Sequence, residues 1–172
     1  MLGKLLLPFQ TSRALKNNDA IRISECYSRA QKIGILLTYN GEEDKILVDT
    51  LMDNIERDGK EITLLIYVPK VEKGKAFNYP NFTVKDLEYS GNFENKKLED
   101  FVNTPFDYLL NLDIEGNDAI EYVLASSKAK CRVGNYKEHK EEFYELMIDS
   151  KGESYEAFLV QVYHYIKNVR NG

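Results

Sequence analysis

KIGILLTY at residues 32–39 and EITLLIYV at 61–68 are the two apolar runs that decide the fold. Continuous apolar runs of this length are typical of strands that are covered on both faces, as in parallel sheets. Between them, Asn40-Gly41 indicates a turn, and apolar residues at helical spacing follow until Gly59, the expected C-terminal cap. A strand, a helix and a second strand in this order predict a right-handed parallel βαβ unit.

The same alternation continues toward the C-terminus. Three more segments have the composition of strands: 106–112, 130–133 ended by Gly134, and 143–148, whose alternating polarity predicts an edge position. Three more helices are predicted: 96–103, one from about Asn117, and a terminal helix capped by Ser154. Residues 70–105 are rich in turn formers, and a short edge strand or hairpin is expected near 83–89.

These elements predict an α/β fold, a three-layer Rossmann-like sandwich of about five mostly parallel strands with helices on both faces. We expect residues 1–172 to form a single domain with an N-terminal helical extension over about 1–31. A chain of this size buries roughly 70% of the surface of its unfolded form, so its core requires no disulfide or metal for stability.

Composition indicates an ordinary globular protein, with 172 residues of which 43% are hydrophobic and 30% charged. Its two cysteines, Cys26 and Cys131, lack the close spacing of a zinc ligand pair or a redox motif, so both are predicted to be free thiols. Free thiols fit a reducing compartment, and we expect a cytoplasmic protein. No apolar run approaches the roughly 20 residues of a transmembrane helix, so no transmembrane segment is expected.

Charge is distributed unevenly along the chain. Residues 1–32 hold six basic and two acidic residues, so a net charge of +4 there leaves −9 for the remainder of the total of −5. Nucleic acid is an unexpected partner for such an acidic body, because affinity for phosphate depends on clustered Lys and Arg. Contact with RNA or anionic lipid is conceivable only in the N-terminal segment, whose basic residues are otherwise explained as a solvated helix face.

Polar residues at the carboxyl ends of the predicted strands are the candidate ligand-binding residues, because open α/β sheets bind ligands at that edge. The candidates are Thr38, Asn40, Asn111, Asp113 and Glu115. The last three are two apart in sequence, so their side chains would share a direction if the strand ran through them. The alternative is that they solvate the strand end and cap the next helix.

Signatures of common cofactors and metals are not found in the sequence. A dinucleotide site requires several glycines in the first strand-to-helix turn, whereas this turn has Gly41 alone, followed by three acidic residues that oppose a phosphate. His139 and His164 have no partner at metal-ligand spacing. A nucleophilic pair of Cys131 with His139 is conceivable, but the residues around His139 are typical of a solvated turn. We therefore assign no cofactor, no metal and no catalytic residue.

Two surfaces are candidates for binding a partner protein. The first is an amphipathic N-terminal segment with apolar residues at Leu2, Leu5, Leu6 and Phe9. It could dock on a partner or a membrane surface, or pack on its own domain. The second is the C-terminal helix, which carries Tyr155, Tyr163 and Tyr165. Tyrosine is favoured at protein interfaces, although partial burial with the hydroxyl in water also explains these residues.

Four segments carry a resemblance to known families: KIGILLTYN at 32–40, PFDYLLNLD at 105–113, SSKAKCRVG at 126–134 and FLVQVYHYIKNV at 158–169. With them the chain resembles a family of small uncharacterised proteins from Bacteroidota, a domain of unknown function that implies no activity. PFDYLLNLD followed by SSKAKCRVG also resembles the amino-terminal half of heptosyltransferase-type glycosyltransferases. Those enzymes hold a nucleotide sugar with a second Rossmann-like half, for which this chain is too short.

Two hypotheses follow from the sequence. The first is a non-catalytic α/β interaction module, since catalytic signatures are missing and apolar or aromatic surfaces are expected at both ends. The second is a protein that binds or processes a small polar ligand, such as a sugar or nucleotide sugar, at the strand ends.

Overall fold

The computed structural model describes residues 2–70, 77–87, 93 and 95–169. Its strands are β1 Lys32–Thr38, β2 Glu61–Tyr67, β3 Asn81–Phe82, β4 Tyr108–Asn111, β5 Cys131–Asn135 and β6 Leu146–Ile148. Its helices are α1 Leu2–Asn17, α2 Glu42–Arg57, α3 Lys96–Asn103, α4 Asp118–Ser126 and α5 Tyr155–Asn168. Within the described residues, no helix has the length and apolar character needed to cross a membrane.

All six strands form one sheet in the order β3-β2-β1-β4-β5-β6, and each neighbouring pair is parallel. The strand order reverses between β1 and β4, as it does in Rossmann-like folds. The predicted fold class is therefore confirmed, with six strands where about five were expected. The predicted edge position of the last strand is also confirmed.

Helices cover both faces of the sheet, and each face has its own core. Ile35 and Leu37 of β1 pack into the core beneath α2 and α5, whereas Leu36 packs into the core beneath α1, α3 and α4. This alternation has the period of two that a strand imposes on its side chains. Because both sides of β1 are buried, its sequence has to be a continuous apolar run.

Local capping sets the ends of the helices. Gly59, at φ +78°, follows the end of α2 in the left-handed conformation that glycine adopts most readily, so its predicted role as a C-terminal cap is confirmed. Ser154 Oγ accepts a hydrogen bond from the Ala157 amide at 3.2 Å, which confirms the predicted cap of α5. Asn117 caps α4 in the same way.

The short edge strand expected near 83–89 lies slightly earlier, at β3, and Val84–Asp86 does not continue it. The side chains of Thr83 and Asp86 form a capping box that holds Val84–Asp86 as a 3₁₀ turn, and the edge strand β3 lies just before it. Leu87 forms a single antiparallel bridge to Phe93, while the end of the predicted segment lies outside the described residues. A strand of two residues is too short to produce a periodic pattern, so the sequence could not place it.

The N-terminal extension is helical only as far as Asn17. The segment that follows crosses the loop between α4 and β5 and is fixed there by side chains. Asn18 Nδ2 donates to the carbonyls of Ala125 and Ser127, at 2.7 and 2.9 Å, and the Arg22 guanidinium donates to Ser127 as well, at 3.1 Å. The segment therefore holds its course through hydrogen bonds and not through helical periodicity.

The boundaries predicted for the last two strands are also wrong. β5 continues through Gly134 to Asn135, and the strand predicted at 143–148 begins only at Leu146, because Glu141–Phe143 is a 3₁₀ turn. Gly134 does not end its strand. It leaves room for the ring of Tyr144, whose Cε1 atom lies 2.4 Å from where a Cβ would stand.

We expect Gly134→Ala to destabilise the protein by about 1–3 kcal/mol, because the added methyl group overlaps a well-packed ring. Urea unfolding followed by circular dichroism measures this change. In a Tyr144→Ala background the same substitution should cost much less, since the ring is gone. An equal cost in both backgrounds would contradict this explanation for the glycine.

Candidate functional site

The β1–β4 crevice, where the strand order reverses, brings together several of the predicted site residues. Asp113 follows β4, and its Oδ2 atom accepts hydrogen bonds from Thr38 Oγ1 at 2.6 Å and from Asn117 Nδ2 at 2.7 Å. Its Oδ1 atom accepts from the Gly116 amide at 2.9 Å. One carboxylate therefore joins the end of β1, the turn after β4 and the start of α4.

Asn111 extends this network toward the edge of the sheet. Its Oδ1 atom accepts from the Asp113 amide at 3.1 Å, and its Nδ2 atom donates to the Tyr144 hydroxyl at 2.7 Å. Burial raises the pKa of Tyr144 to about 12, so the hydroxyl stays protonated at neutral pH. Asn111 and Asp113 are only 2% and 7% exposed. The polar groups of the crevice thus bond to one another and face the protein interior.

The five predicted ligand-binding residues do not form one site. Thr38, Asn111 and Asp113 lie together in the β1–β4 crevice, but Asn40 lies in a separate cleft. Glu115 is exposed, and its backbone carbonyl accepts a hydrogen bond from Lys137 Nζ. Sequence reasoning missed Asn117 and Tyr144 as members of the network. Asn117 had a signal, its position before a helix, whereas Tyr144 is distant in sequence and had none.

The β1–β2 cleft is a cavity of about 460 Å³ at the carboxyl ends of these strands. It is lined by Tyr39, Asn40, Gly41, Glu42, Pro69, Lys70 and Phe77. The rings of Tyr39 and Phe77 meet edge to face at 5.1 Å, and the Tyr39 hydroxyl donates to Glu42 Oε1 at 2.7 Å. The cleft therefore combines aromatic rings with a carboxylate, an amide and an ammonium group.

The α2–α5 groove is another cavity, of about 290 Å³, between the helices α2 and α5. It is lined by Leu47, Thr50, Leu51, Asn54, Glu156, Leu159, Val160 and Tyr163. Val160 in this lining is 63% exposed, as is Ile46, the neighbour of the lining residue Leu47 on α2. Large aliphatic side chains exposed next to an apolar groove are a feature of surfaces that bind other molecules.

Asp58 fixes the C-terminal end of this groove. Its Oδ2 atom accepts hydrogen bonds from the hydroxyls of Tyr27 at 2.9 Å and Tyr163 at 2.8 Å, and Lys167 Nζ lies 3.2 Å away. Burial alone would raise the pKa of Asp58, but hydrogen bonds from Tyr163, Tyr27 and Lys167 outweigh it and hold the pKa below its ordinary value. The carboxylate is thus charged at neutral pH and ties α5 to α2.

A family model of unknown function, DUF6913, matches residues 5–169 of the chain. The chain belongs to the DUF6913 family. No curated protein and no solved structure matches it. The resemblance to a domain of unknown function is therefore supported, and it brings no activity to this DUF6913 chain.

The thiols and histidines of the DUF6913 chain lie apart. Both cysteines are free, as predicted. Cys131 is buried in the core, where burial raises the pKa of its thiol to about 11 and Ser24 Oγ donates to its sulfur at 3.6 Å. His139 is exposed in a turn, so the conceivable Cys131–His139 pair is not formed. Among the described residues, no group of three or more His, Cys, Asp or Glu could hold a metal ion.

The Arg-Val-Gly segment that carried the glycosyltransferase resemblance has structural contacts here. Arg132 is buried, and its guanidinium donates to Glu145 Oε1 at 2.8 Å and to the carbonyls of Leu124 and Glu142. Gly134 makes room for Tyr144. These residues hold β5 against the segment before β6.

At the N-terminus, Leu6 and Phe9 are exposed on α1, Phe9 to 70%, while Leu7 is buried against the sheet side. The side chains of Leu2 and Leu5, the other two members of the predicted surface, lie outside the described residues. α1 therefore packs on its own domain through one side and leaves Leu6 and Phe9 on the other.

We expect Asp113→Ala to lower the free energy of unfolding by about 1–3 kcal/mol, because the Thr38 hydroxyl, the Gly116 amide and the Asn117 side chain all lose an acceptor that is itself buried. Glu115→Ala is the matched control, since that carboxylate is exposed two residues away, and its effect should stay within about 0.5 kcal/mol. Chemical denaturation compares the two variants. Equal stabilities would contradict a structural role for the Asp113 network.

Proposed function

We propose that this DUF6913 protein is a non-catalytic, cytoplasmic interaction module that binds an apolar helix of a partner protein in the α2–α5 groove. The observation that carries the proposal is the groove itself, an apolar depression between two surface helices with Val160 exposed in its lining and Ile46 exposed beside it. The C-terminal helix was one of the two partner surfaces expected from the sequence, and it forms one wall of this groove.

The composition of the groove favours a protein helix as the occupant. Its floor is aliphatic, with Leu47, Leu51 and Leu159, and its margin carries the polar groups of Asn54 and Glu156. An apolar centre with a polar rim is the usual anatomy of protein interfaces. Two neighbouring helices form a furrow into which a third helix can place side chains at i, i+3, i+4 and i+7.

The driving force would be the burial of side chains that are now in water. Burying apolar surface in an interface yields roughly 25 cal/mol per Å², and Ile46 and Val160 expose most of their side-chain surface to water.

The β1–β4 crevice supports the proposal because its polar groups are already used within the protein. Its carboxylate and amide groups already bond to one another, so their hydrogen bonds serve the fold.

A selection from a library of helical peptides tests this function. Against the wild-type protein we expect enrichment of peptides with apolar residues at i, i+3, i+4 and i+7, and their affinity should fall at least about tenfold in Val160→Glu, because a charge would be buried in the groove.

Tyr165→Glu is the matched control, since Tyr165 is half exposed on the same helix and does not line the groove. Its affinity for the selected peptides should equal that of the wild type. Absence of an enriched helical pattern, or equal loss in both variants, would refute the proposed function.

A second candidate function is the binding of a small polar ligand, and the β1–β2 cleft is the observation in its favour. The cleft includes Asn40, a predicted site residue, and lies at the edge of the sheet where α/β proteins bind ligands. Its aromatic rings and its polar groups suit a sugar, and the resemblance to heptosyltransferase-type enzymes would make that sugar part of a nucleotide sugar. That resemblance and a Bacteroidota origin stay predictions of the sequence.

A thermal-shift screen of sugars, nucleotide sugars and nucleotides checks this candidate. We expect a stabilising compound whose effect disappears in Asn40→Ala and in Lys70→Ala, because both side chains line the cleft. The shift should persist in Glu115→Ala, which lies outside it. A screen without a stabilising compound, or a shift that both cleft variants retain, would exclude this function.

A further inference from the structure

We infer that the partner of the α2–α5 groove is a second copy of this chain, docked face to face about a two-fold axis. This inference rests on the proposed function, since it names the occupant of the same groove. In a two-fold dimer one surface meets itself, so that surface has to be complementary to its own image after a rotation of 180°. The charges and apolar residues around the groove meet this requirement.

The two helices that form the groove are parallel. At one end, the N-terminal residue of α5, Tyr155, is close enough to Asp44 in the first turn of α2 for that charge to raise its pKa, although burial is the larger cause. At the other end, Tyr163 and Lys167 of α5 bond to Asp58, just after α2. Both helices therefore begin at the same end of the groove and finish at the other.

Charge is polarised along the groove. At the N-terminal end, Glu156 lines the groove and Glu43 lies one turn before the lining residue Leu47. At the C-terminal end, Arg57 is exposed next to the lining residue Asn54, and its Nη1 atom donates to Asn54 Oδ1 at 3.4 Å. Also at this end, the charges of Asp58 and Lys167 pair with each other at 3.2 Å. The groove thus has acidic side chains at one end and an excess of basic charge at the other, with aliphatic side chains between.

A two-fold axis perpendicular to the helices at the middle of the groove would reverse the direction of the second copy. Glu43 of one copy then faces Arg57 of the other along α2, Glu156 faces the C-terminal end of the other α5, and each of these contacts occurs twice. Val160 of each copy comes to lie over the aliphatic floor of its partner. A parallel arrangement would instead place the acidic ends against each other, and like charges across an interface are unfavourable.

A second copy of this chain already carries the charged ends and the aliphatic centre that an unrelated partner would have to match one by one. An unrelated helix would need a basic residue at one end, an acidic residue at the other and aliphatic residues between, in the reverse order of this groove. The chain already carries that pattern on its own surface in α2 and α5. We therefore infer a dimer that forms four-helix packing from two α2–α5 pairs.

Sedimentation velocity over a range of about 1–500 µM tests the inference at low ionic strength. We expect the wild-type protein to form dimers within this range and Val160→Glu to remain monomeric throughout it. Because Val160 is 63% exposed, its substitution should leave the thermal unfolding temperature of the monomer unchanged. Tyr165→Glu, outside the groove, should dimerise like the wild type.

Charge reversal separates the two-fold arrangement from other dimers. Glu43→Lys and Arg57→Glu should each raise the dissociation constant about tenfold, which corresponds to about 1.4 kcal/mol, because each places like charges across the interface. The double variant carrying both changes should return to the wild-type constant. These two residues lie at opposite ends of the groove in one chain, so only a contact between copies can give this rescue.

The outcomes distinguish the inference from the function on which it rests. A monomer at 500 µM that still selects helical peptides through Val160 would overturn the dimer and leave the interaction module standing. A monomer without such peptides would overturn both. A dimer that Val160→Glu leaves intact, or whose charge reversals are not rescued in the double variant, would also overturn the inference.

Discussion

The carboxylate of Asp58 sets the constraint on which the proposed function depends. Two tyrosine hydroxyls, from Tyr27 and Tyr163, converge on one of its oxygens, and Lys167 pairs with it as well. Through these contacts the end of α2, the side of α5 and the segment before β1 are held in one place. Hydrogen bonds to an ionised acceptor are stronger than neutral ones, so the relative position of the two helices is well defined. Because α2 and α5 are fixed relative to each other, the walls of the groove are fixed and its acidic and basic ends are defined.

In the β1–β4 crevice, the position where folds of this class bind a ligand is occupied by hydrogen bonds within the protein. In open α/β sheets the reversal of strand order separates the loops and leaves a place for a ligand. Here Asp113 fills that place with acceptors for Thr38, Gly116 and Asn117. Buried polar groups are costly unless they are paired, and in this crevice they pair with one another. Among the described residues, the β1–β2 cleft and the α2–α5 groove are two surfaces that remain open.

The sequence was sufficient for the parts of the fold that depend on local pattern. The apolar run of β1 lies in the middle of the sheet, where both faces are buried, and the run of β2 lies beside it. The helix predicted at 96–103 has the bounds of α3. Caps at Gly59 and Ser154 were also readable, because a cap requires particular residue types at one position. The strand β3 was not readable, since it has two residues and its pairing with β2 is decided by tertiary packing.

The candidate sites were less accessible to sequence reasoning. The positions of Thr38, Asn111 and Asp113 followed from the rule for strand ends, yet Asn111 also bonds to Tyr144, which comes from a segment 33 residues beyond it. The groove depended on the pairing of two helices whose closing contact joins residues 105 apart, Asp58 and Tyr163. An apolar stripe shows which side of a helix is buried, but not which other helix lies beside it.

Paramagnetic relaxation enhancement between copies measures the central claim, the reversed packing of two α2–α5 grooves, most directly. A spin label on Glu153→Cys, in a Cys26→Ser background, marks the N-terminal end of α5 without replacing a residue of the proposed contact. Mixed with unlabelled ¹⁵N-enriched protein, it should broaden amide signals around Arg57 of the other copy. Broadening around Glu43 instead, or no broadening at concentrations of several hundred micromolar, would contradict the account.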